Sequence, residues 1–167
     1  PGRRVVVRTL DAGADKPLAF ADLGEEENPA LGVRGLRLQR VREDLLDAQL
    51  TAIANAAAAT GAQAWVMAPM VATAEEAKWF TAKCRAAGLP TAGTMVEVPA
   101  AALRSKHVMA ECDFASIGTN DLSQYTFAAD RMNGALAGLL TGWQPALWEL
   151  IVATVEGAGG KPVGICG

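Results

Sequence analysis

Aromatic side chains make up only 5% of these 167 residues, and histidine occurs once, at position 107. Positive charge is not in excess either: 15 Lys and Arg face 18 Asp and Glu, for a net charge of -3. A chain that neutralises many phosphates along a polymer needs a basic face, so nucleic-acid binding is not expected. No apolar run approaches the ~18 residues of a membrane helix, so no membrane partner is expected. The N-terminal stretch PGRRVVVRTLD holds three valines, too few for the apolar centre of a signal peptide. The three cysteines, Cys84, Cys112 and Cys166, are odd in number and have no CxxC spacing. That pattern suits reduced thiols and a cytoplasmic location rather than a disulfide framework. An initial methionine is also missing, which points to a fragment or a processed chain.

What is abundant is alanine, at 34 positions, within a composition that is 51% hydrophobic. Such a chain can bury a substantial core, and its length fits one domain, residues 1–167. Short apolar runs rich in β-branched residues alternate with longer stretches of helical period. Strands are expected at Val5 to Asp11, Ala64 to Val71, Thr94 to Val98, Phe114 to Gly118 and Lys161 to Cys166. Leu31 to Gln39 fits either a strand or a helix. Helices are expected at Asp44 to Ala59, stopped by Gly61, and from the capping box Thr73/Glu76 to about Ala87, stopped by Gly88. Two more follow, at about Ala100 to Glu111 and Pro145 to Glu156.

This alternation, with strands apolar on both faces, predicts an α/β fold with a parallel sheet. Polar residues gather where strands end: Arg8 and Asp11, Glu97, Asn120 with Asp121, and Cys166. In a barrel those ends converge on one mouth, and no GxGxxG follows the first strand, as a dinucleotide fold would require. About six strands are expected against the eight of a complete (β/α)8 TIM-type barrel, so the barrel should be incomplete.

Glu97 and Asp121 each close a buried apolar strand, where an unpaired charge is costly. Two carboxylates without a histidine cluster suit a hard cation such as Mg²⁺ or Mn²⁺, although either could simply cap the helix that follows. Arg8, Arg34, Arg37 and Arg131 stand at or just after element ends, where guanidinium groups grip phosphate or carboxylate. Arg8 follows three valines inside a strand and needs an anion beside it. Cys166, taken alone, fits a buried structural cysteine. His107 fits a solvated helix face.

The segments RTLDAGADKPL, EENPALGVRGLRL, APMVATAEEAKWF, MVEVPAAAL, DFASIGTNDLSQYTFAADRMN and KPVGICG run through the whole chain in this order. Together they resemble the phosphoenolpyruvate-binding barrel of the enzyme I family of the phosphoenolpyruvate:sugar phosphotransferase system. Pyruvate phosphate dikinase and phosphoenolpyruvate synthase share these barrel motifs and are alternatives. A truncated, non-catalytic binding or dimerisation module is another.

The resemblance implies a barrel that binds phosphoenolpyruvate with Mg²⁺, held by Glu97 and Asp121. It implies that Arg8 and Arg34 grip the phosphate, and that Asn120, the backbone of Asp121, and Arg131 hold substrate. Cys166 would then protonate the enolate to give pyruvate. The phosphoryl acceptor would be a histidine on an absent N-terminal domain, which passes the group to the carrier protein HPr. A homodimer is implied for the full-length protein. The family's helix pattern QLRAxLRAS carries arginines where Thr51 and Asn55 stand here, which predicts a loss of positive charge at the phosphate site and weak binding.

Overall fold

Three consecutive valines favour extended backbone, and they form the centre of the first strand, β1 (Arg4–Arg8). The computed structural model describes residues 2–21 and 24–167. Four further strands follow: β2 (Gln63–Ala68), β3 (Thr91–Val96), β4 (Phe114–Gly118) and β5 (Val163–Cys166). All neighbours pair in parallel, in the sequential order β1-β2-β3-β4-β5. A sheet that grows by one strand at a time in one direction is wound singly, as in a barrel, not doubly. It also curls. Val6 of β1, Trp65 of β2, Phe114 of β4 and Gly164 of β5 line one hollow of about 320 Å³, so both edge strands face the same concave side. Gly93 makes this curl possible, because a Cβ there would stand 2.5 Å from the Phe114 ring. Phe114 instead lies across β3 against Trp65, with ring centroids 5.0 Å apart.

The helices are α1 (Leu36–Val41), α2 (Glu43–Thr60), α3 (Ala74–Ala86), α4 (Pro99–Leu103), α5 (Ser105–Ala110), α6 (Thr119–Thr126) and α7 (Pro145–Gly157). Their apolar sides close over the convex face of the sheet. Val66, Ala68, Val96, Ala115 and Ile117 from the strands meet Leu46, Leu50, Phe80, Cys84, Met109 and Leu147 from the helices. Small residues on the strands let the helices approach closely, and Ala68, Ala92 and Ala115 are buried for that reason. The alanines at 52, 56, 58 and 59 on α2 are exposed and do no such packing.

The expected punctuation is present. Gly61 caps α2 in the left-handed region, with φ 68°, and donates to the Ala57 carbonyl. Thr73 and Glu76 exchange both bonds of the capping box at the start of α3. Two expectations need correction. The sheet has five strands among the described residues, not six, because Leu31 to Gln39 is no strand. Pro29–Leu31 forms a 3-10 turn, and Gly35 at φ 57° turns the chain into α1. The helix expected over 100–111 breaks at Arg104, with φ -107° and ψ 20°. That break lays α5 against α7, where Gly157 leaves room for Ser105 to donate to the Ala153 carbonyl at 2.8 Å. Directly after β4, Thr119, Asn120 and Asp121 form the first turn of α6. Among the described residues no helix is long and apolar enough to cross a membrane.

Candidate active site

Parallel strands deliver their C-terminal ends to one rim, and the chemistry expected there is largely assembled. A cavity of about 220 Å³ is lined by Arg8 from the end of β1, Glu97 just after β3, Asn120 and Asp121 on α6, Arg131, and Cys166 of β5. Lys16 completes its wall. Larger hollows exist. One of about 470 Å³ lies among the alanines of α2, and one of about 420 Å³ lies beside Tyr125. Neither gathers cations, carboxylates and a thiol, so the small cavity is the chemically furnished one.

Two of the expected arginines stand apart from this wall: Arg37 lies outside the cavity, donating to the Leu31 and Gly32 carbonyls at 3.0 Å, and Arg34 is the other. Its side chain is fully enclosed and lies beneath the cavity rather than in its wall. The guanidinium reaches Asp11 at 3.0 Å, Asp15 at 3.2 Å and Asp121 at 3.3 Å, and it donates to the Tyr125 hydroxyl at 3.1 Å. Burial opposes this charge, but Asp11, Asp121, Tyr125 and Asp15 outweigh burial and raise the Arg34 pKa further. Its Nε and one Asp15 oxygen remain buried without a partner. The Tyr125 hydroxyl in turn donates to the Ala30 carbonyl, tying α6 to the turn that precedes Arg34.

Asp11 is the second hub. It accepts from Lys16 at 2.7 Å, Arg34 at 3.0 Å and Arg8 at 3.3 Å, although its own side chain has no exposure. Burial alone would raise its carboxyl. The Lys16 hydrogen bond and the charges of Arg34 and Lys16 overcome that, and they hold it below the usual carboxylate value.

Glu97 behaves in the opposite way. Burial pushes its carboxyl up to about 7; the hydrogen bond from the Met70 amide pulls it down, while Asp121 and Asp11 push it further up. The Met70 amide donates to Glu97 Oε1 at 2.7 Å, from a residue held at φ 58°, a conformation that costs a non-glycine residue energy. Gly35 passes directly beneath. A Cβ there would come within 2.9 Å of the Met70 side chain. Gly118 similarly makes room for Glu97, since a Cβ on it would meet Oε2 at 2.7 Å.

Asp121 also pairs with Arg131 at 3.5 Å, and the Arg131 amide donates to Gln124 at 3.0 Å. Cys166 is exposed, with its sulfur 3.6 Å from the Ser116 hydroxyl, and its carbonyl accepts from Thr119 at 3.2 Å. The expectation of a buried structural cysteine therefore fails at Cys166. It does fit Cys84 and Cys112, whose buried thiols are pushed up to about 12. His107 is exposed on α5, outside the cavity.

The expectation drawn from Thr51 and Asn55 also needs correction. Both are exposed along α2 and neither lines the cavity, so arginines at those positions would not have added charge to it. Sequence reasoning missed Lys16, Asp15, Tyr125 and Met70. The signal for Lys16 is the run Asp11-Ala12-Gly13-Ala14-Asp15-Lys16, a tight turn directly after a strand. Its Gly13 and Lys16 pair as an antiparallel bridge, which returns Lys16 to the strand end.

Among the described residues no group of three or more His, Cys, Asp or Glu side chains is placed to hold a metal. Glu97 and Asp121 do share the cavity wall. Two carboxylates are a sufficient protein contribution for Mg²⁺, which keeps waters and substrate phosphate oxygens as its other ligands. The mutual repulsion that helps to raise Glu97 is the electrostatic sign of a place that a cation would relieve.

Residues 1–167 match the family model described as PEP-utilising enzyme, PEP-binding domain. The chain is similar to the phosphoenolpyruvate-protein phosphotransferase of Streptomyces coelicolor, with 55% identity over 100% of this chain and 31% of the relative. It is 46% identical to the phosphoenolpyruvate-protein phosphotransferase of Haloferax volcanii, over 99% of this chain and 32% of the relative. Similarity extends to the multiphosphoryl transfer protein of Xanthomonas campestris, at 43% identity over 99% of this chain and 21% of that protein. The chain thus spans about a third or less of the length of these curated relatives.

Proposed function

This chain belongs to the PEP-binding domain family of PEP-utilising enzymes, and from that premise we propose that its cavity binds phosphoenolpyruvate as part of a phosphoenolpyruvate-protein phosphotransferase. In this reading residues 1–167 are one domain fragment, five strands of a (β/α)8 barrel. One observation carries the proposal: cations, a carboxylate pair and an exposed thiol come from four different strand ends and line one small cavity.

The division of labour follows from position. Arg8 and Arg131 reach the cavity and grip the phosphate and carboxylate ends of the substrate. Arg34 supports the phosphate from behind, holding Asp11 and Asp121 where they are needed. Asn120 and the backbone of Asp121, in the first turn of α6, supply polar contacts to the substrate. Glu97 and Asp121 would hold Mg²⁺, whose contribution when bound is to neutralise charge on the phosphate oxygens. Phosphoryl transfer asks mainly for positioning and charge stabilisation, and Arg8, Arg34, Glu97, Asp121 and Arg131 are each held by a partner.

When the phosphorus–oxygen bond of phosphoenolpyruvate breaks, the phosphoryl group passes to a nucleophilic nitrogen and the enolate of pyruvate is left. The acceptor is a histidine outside this chain, because His107 lies away from the cavity. Cys166 then gives its proton to the methylene carbon, which forms the carbon–hydrogen bond of pyruvate and leaves a thiolate to be reprotonated from solvent. In the whole protein the phosphoryl group continues to the carrier protein HPr, the enzyme is cytoplasmic, and it works as a homodimer.

Calorimetric titration of the chain with phosphoenolpyruvate tests the reading. Binding is expected in Mg²⁺ and should be lost or strongly weakened in EDTA. Glu97→Gln should erase the difference between the two. Equal heats in Mg²⁺ and EDTA for the unmodified chain would remove the metal from the account, and no heat in either would remove the substrate.

A further inference from the structure

Two residues of the mouth lie outside every role given so far, and both belong to the loop after β1. Asp11 is fully enclosed, yet two of its three cationic partners, Arg8 and Lys16, keep 40% and 37% of their side chains exposed at the cavity. One buried carboxylate therefore orients two cations that present unspent hydrogen-bond donors to the space where an anion would sit. A lysine ammonium carries three donors, and Asp11 takes one at 2.7 Å.

The backbone supports the same placement. The Lys16 amide donates to the Gly13 carbonyl at 2.9 Å, closing a turn with Ala14 and Asp15 at its tip. Asp15 is pinned in turn by Arg34 at 3.2 Å. Gly13 permits the fold, since a Cβ on it would lie 2.4 Å from the Cβ of Arg34. Lys16 is thus held to the rim at both its backbone and its ammonium group, unlike a solvated surface lysine. Two of the cations that line the cavity, Arg8 and Lys16, come from the β1 edge, while Glu97 and Asp121 come from β3 and α6, with Arg131 paired to Asp121 at 3.5 Å.

We propose that Lys16 is a further phosphate-binding residue of this cavity, and that Asp11 is the positioning residue that aims Lys16 and Arg8 at the phosphate. This rests on the reading of the cavity as a phosphoenolpyruvate site. Lys16 contacts the phosphate directly, so its loss is felt by phosphoenolpyruvate and not by pyruvate, which lacks the phosphate. Asp11 touches no substrate and acts through the two cations.

The test is titration of the chain in Mg²⁺ with phosphoenolpyruvate and, separately, with pyruvate. Lys16→Met should weaken phosphoenolpyruvate roughly 10- to 100-fold, as expected for one charge-assisted hydrogen bond, and leave pyruvate unchanged. Lys16→Arg should restore most of the affinity. Asp11→Asn should lower the same ratio of phosphoenolpyruvate to pyruvate affinity, with urea melts confirming that each variant is folded. If Lys16→Met binds phosphoenolpyruvate as the parent chain does, the phosphate contact is refuted. If it weakens both ligands equally, Lys16 shapes the cavity and the proposal is again refuted. A folded Asp11→Asn with an unchanged ratio removes the positioning role. If the parent chain itself binds no phosphoenolpyruvate, the underlying site reading falls and takes the proposal with it.

Discussion

At the β1 edge of the mouth, Asp11 and Arg34 are sealed from solvent, and each is held by several charged partners within 3.3 Å. At the β5 edge the Cys166 thiol is exposed and stands 3.6 Å from the Ser116 hydroxyl on the neighbouring strand. The first edge is over-determined, so moving any one group disturbs three others. The second edge leaves a nucleophilic atom open to whatever enters the cavity. Phosphate binding rewards fixed charges that need no reorganisation, whereas a proton donor has only to lie within reach of carbon. The contrast in construction thus matches a contrast in task, and it makes the two edges separable by mutation.

The largest expected effect falls on the sealed edge. Arg34→Met would leave Asp11, Asp15 and Asp121 without their common cation, and all three reach the guanidinium from buried or mostly buried positions. Removing one partner of a buried ionic network costs about 3 to 5 kcal/mol. Arg8→Met removes a pair whose arginine is 40% exposed, and it should cost under about 1 kcal/mol. Urea unfolding of the two variants measures the difference directly. Equal losses would mean that the network does not hold the fold at this edge.

A smaller effect is expected from Glu97, and it has a sign. Its carboxyl is raised from 4.5 to about 7 in the folded chain, chiefly by burial. The folded state therefore holds the proton more tightly than the unfolded state does. The stabilisation is complete below pH 4.5 and is lost as pH rises through about 7, to a total of about 3 kcal/mol. Asp11 is shifted in the opposite direction, below 3.8. Its contribution is present above that value and fades only as pH falls through its lower folded pKa, outside the Glu97 window. In EDTA, unfolding free energies measured from pH 4.5 to 7.5 should decline for the parent chain and stay flatter for Glu97→Gln. Parallel profiles would mean that Glu97 is ionised in the folded chain across this range.

How much of this edge could be read without coordinates depends on how local each cause is. The capping box at Thr73 and Glu76 and the left-handed stop at Gly61 are set within one helical turn, so residue order is enough to find them. The rim residues Arg8, Glu97, Asp121 and Cys166 were legible because any parallel sheet brings its strand ends together. Arg34 was legible as a site residue but not as a buried one, because its enclosure depends on Asp121 and Tyr125, about ninety positions along the chain. Lys16 was missed because its place is set by a four-residue turn and by Asp11, a contact that no periodicity records. The Leu31 to Gln39 segment was ambiguous for a similar reason. Its apolar spacing fits two structures, and the choice is made by Gly35 packing under Met70.

The smallest expected effect lies at the open edge. Cys84 and Cys112 are buried in the core, where loss of solvation pushes both thiols up to about 12, so neither forms appreciable thiolate near neutral pH. Cys166 is exposed at the end of an edge strand, and removing its sulfur opens no cavity in the core. Cys166→Ala should therefore change the unfolding free energy by less than about 0.5 kcal/mol, and should leave phosphoenolpyruvate affinity nearly unchanged if the thiol acts only after transfer. Thiol titration of the native chain with an aromatic disulfide should count one fast-reacting group in the parent and none in the variant, while both show their buried cysteines on unfolding. Bound phosphoenolpyruvate should slow the fast reaction, because substrate and reagent compete for the same space above Cys166. Unimpeded modification at saturating phosphoenolpyruvate would place the thiol outside the substrate's reach, and the two edges of the mouth would then not serve one reaction.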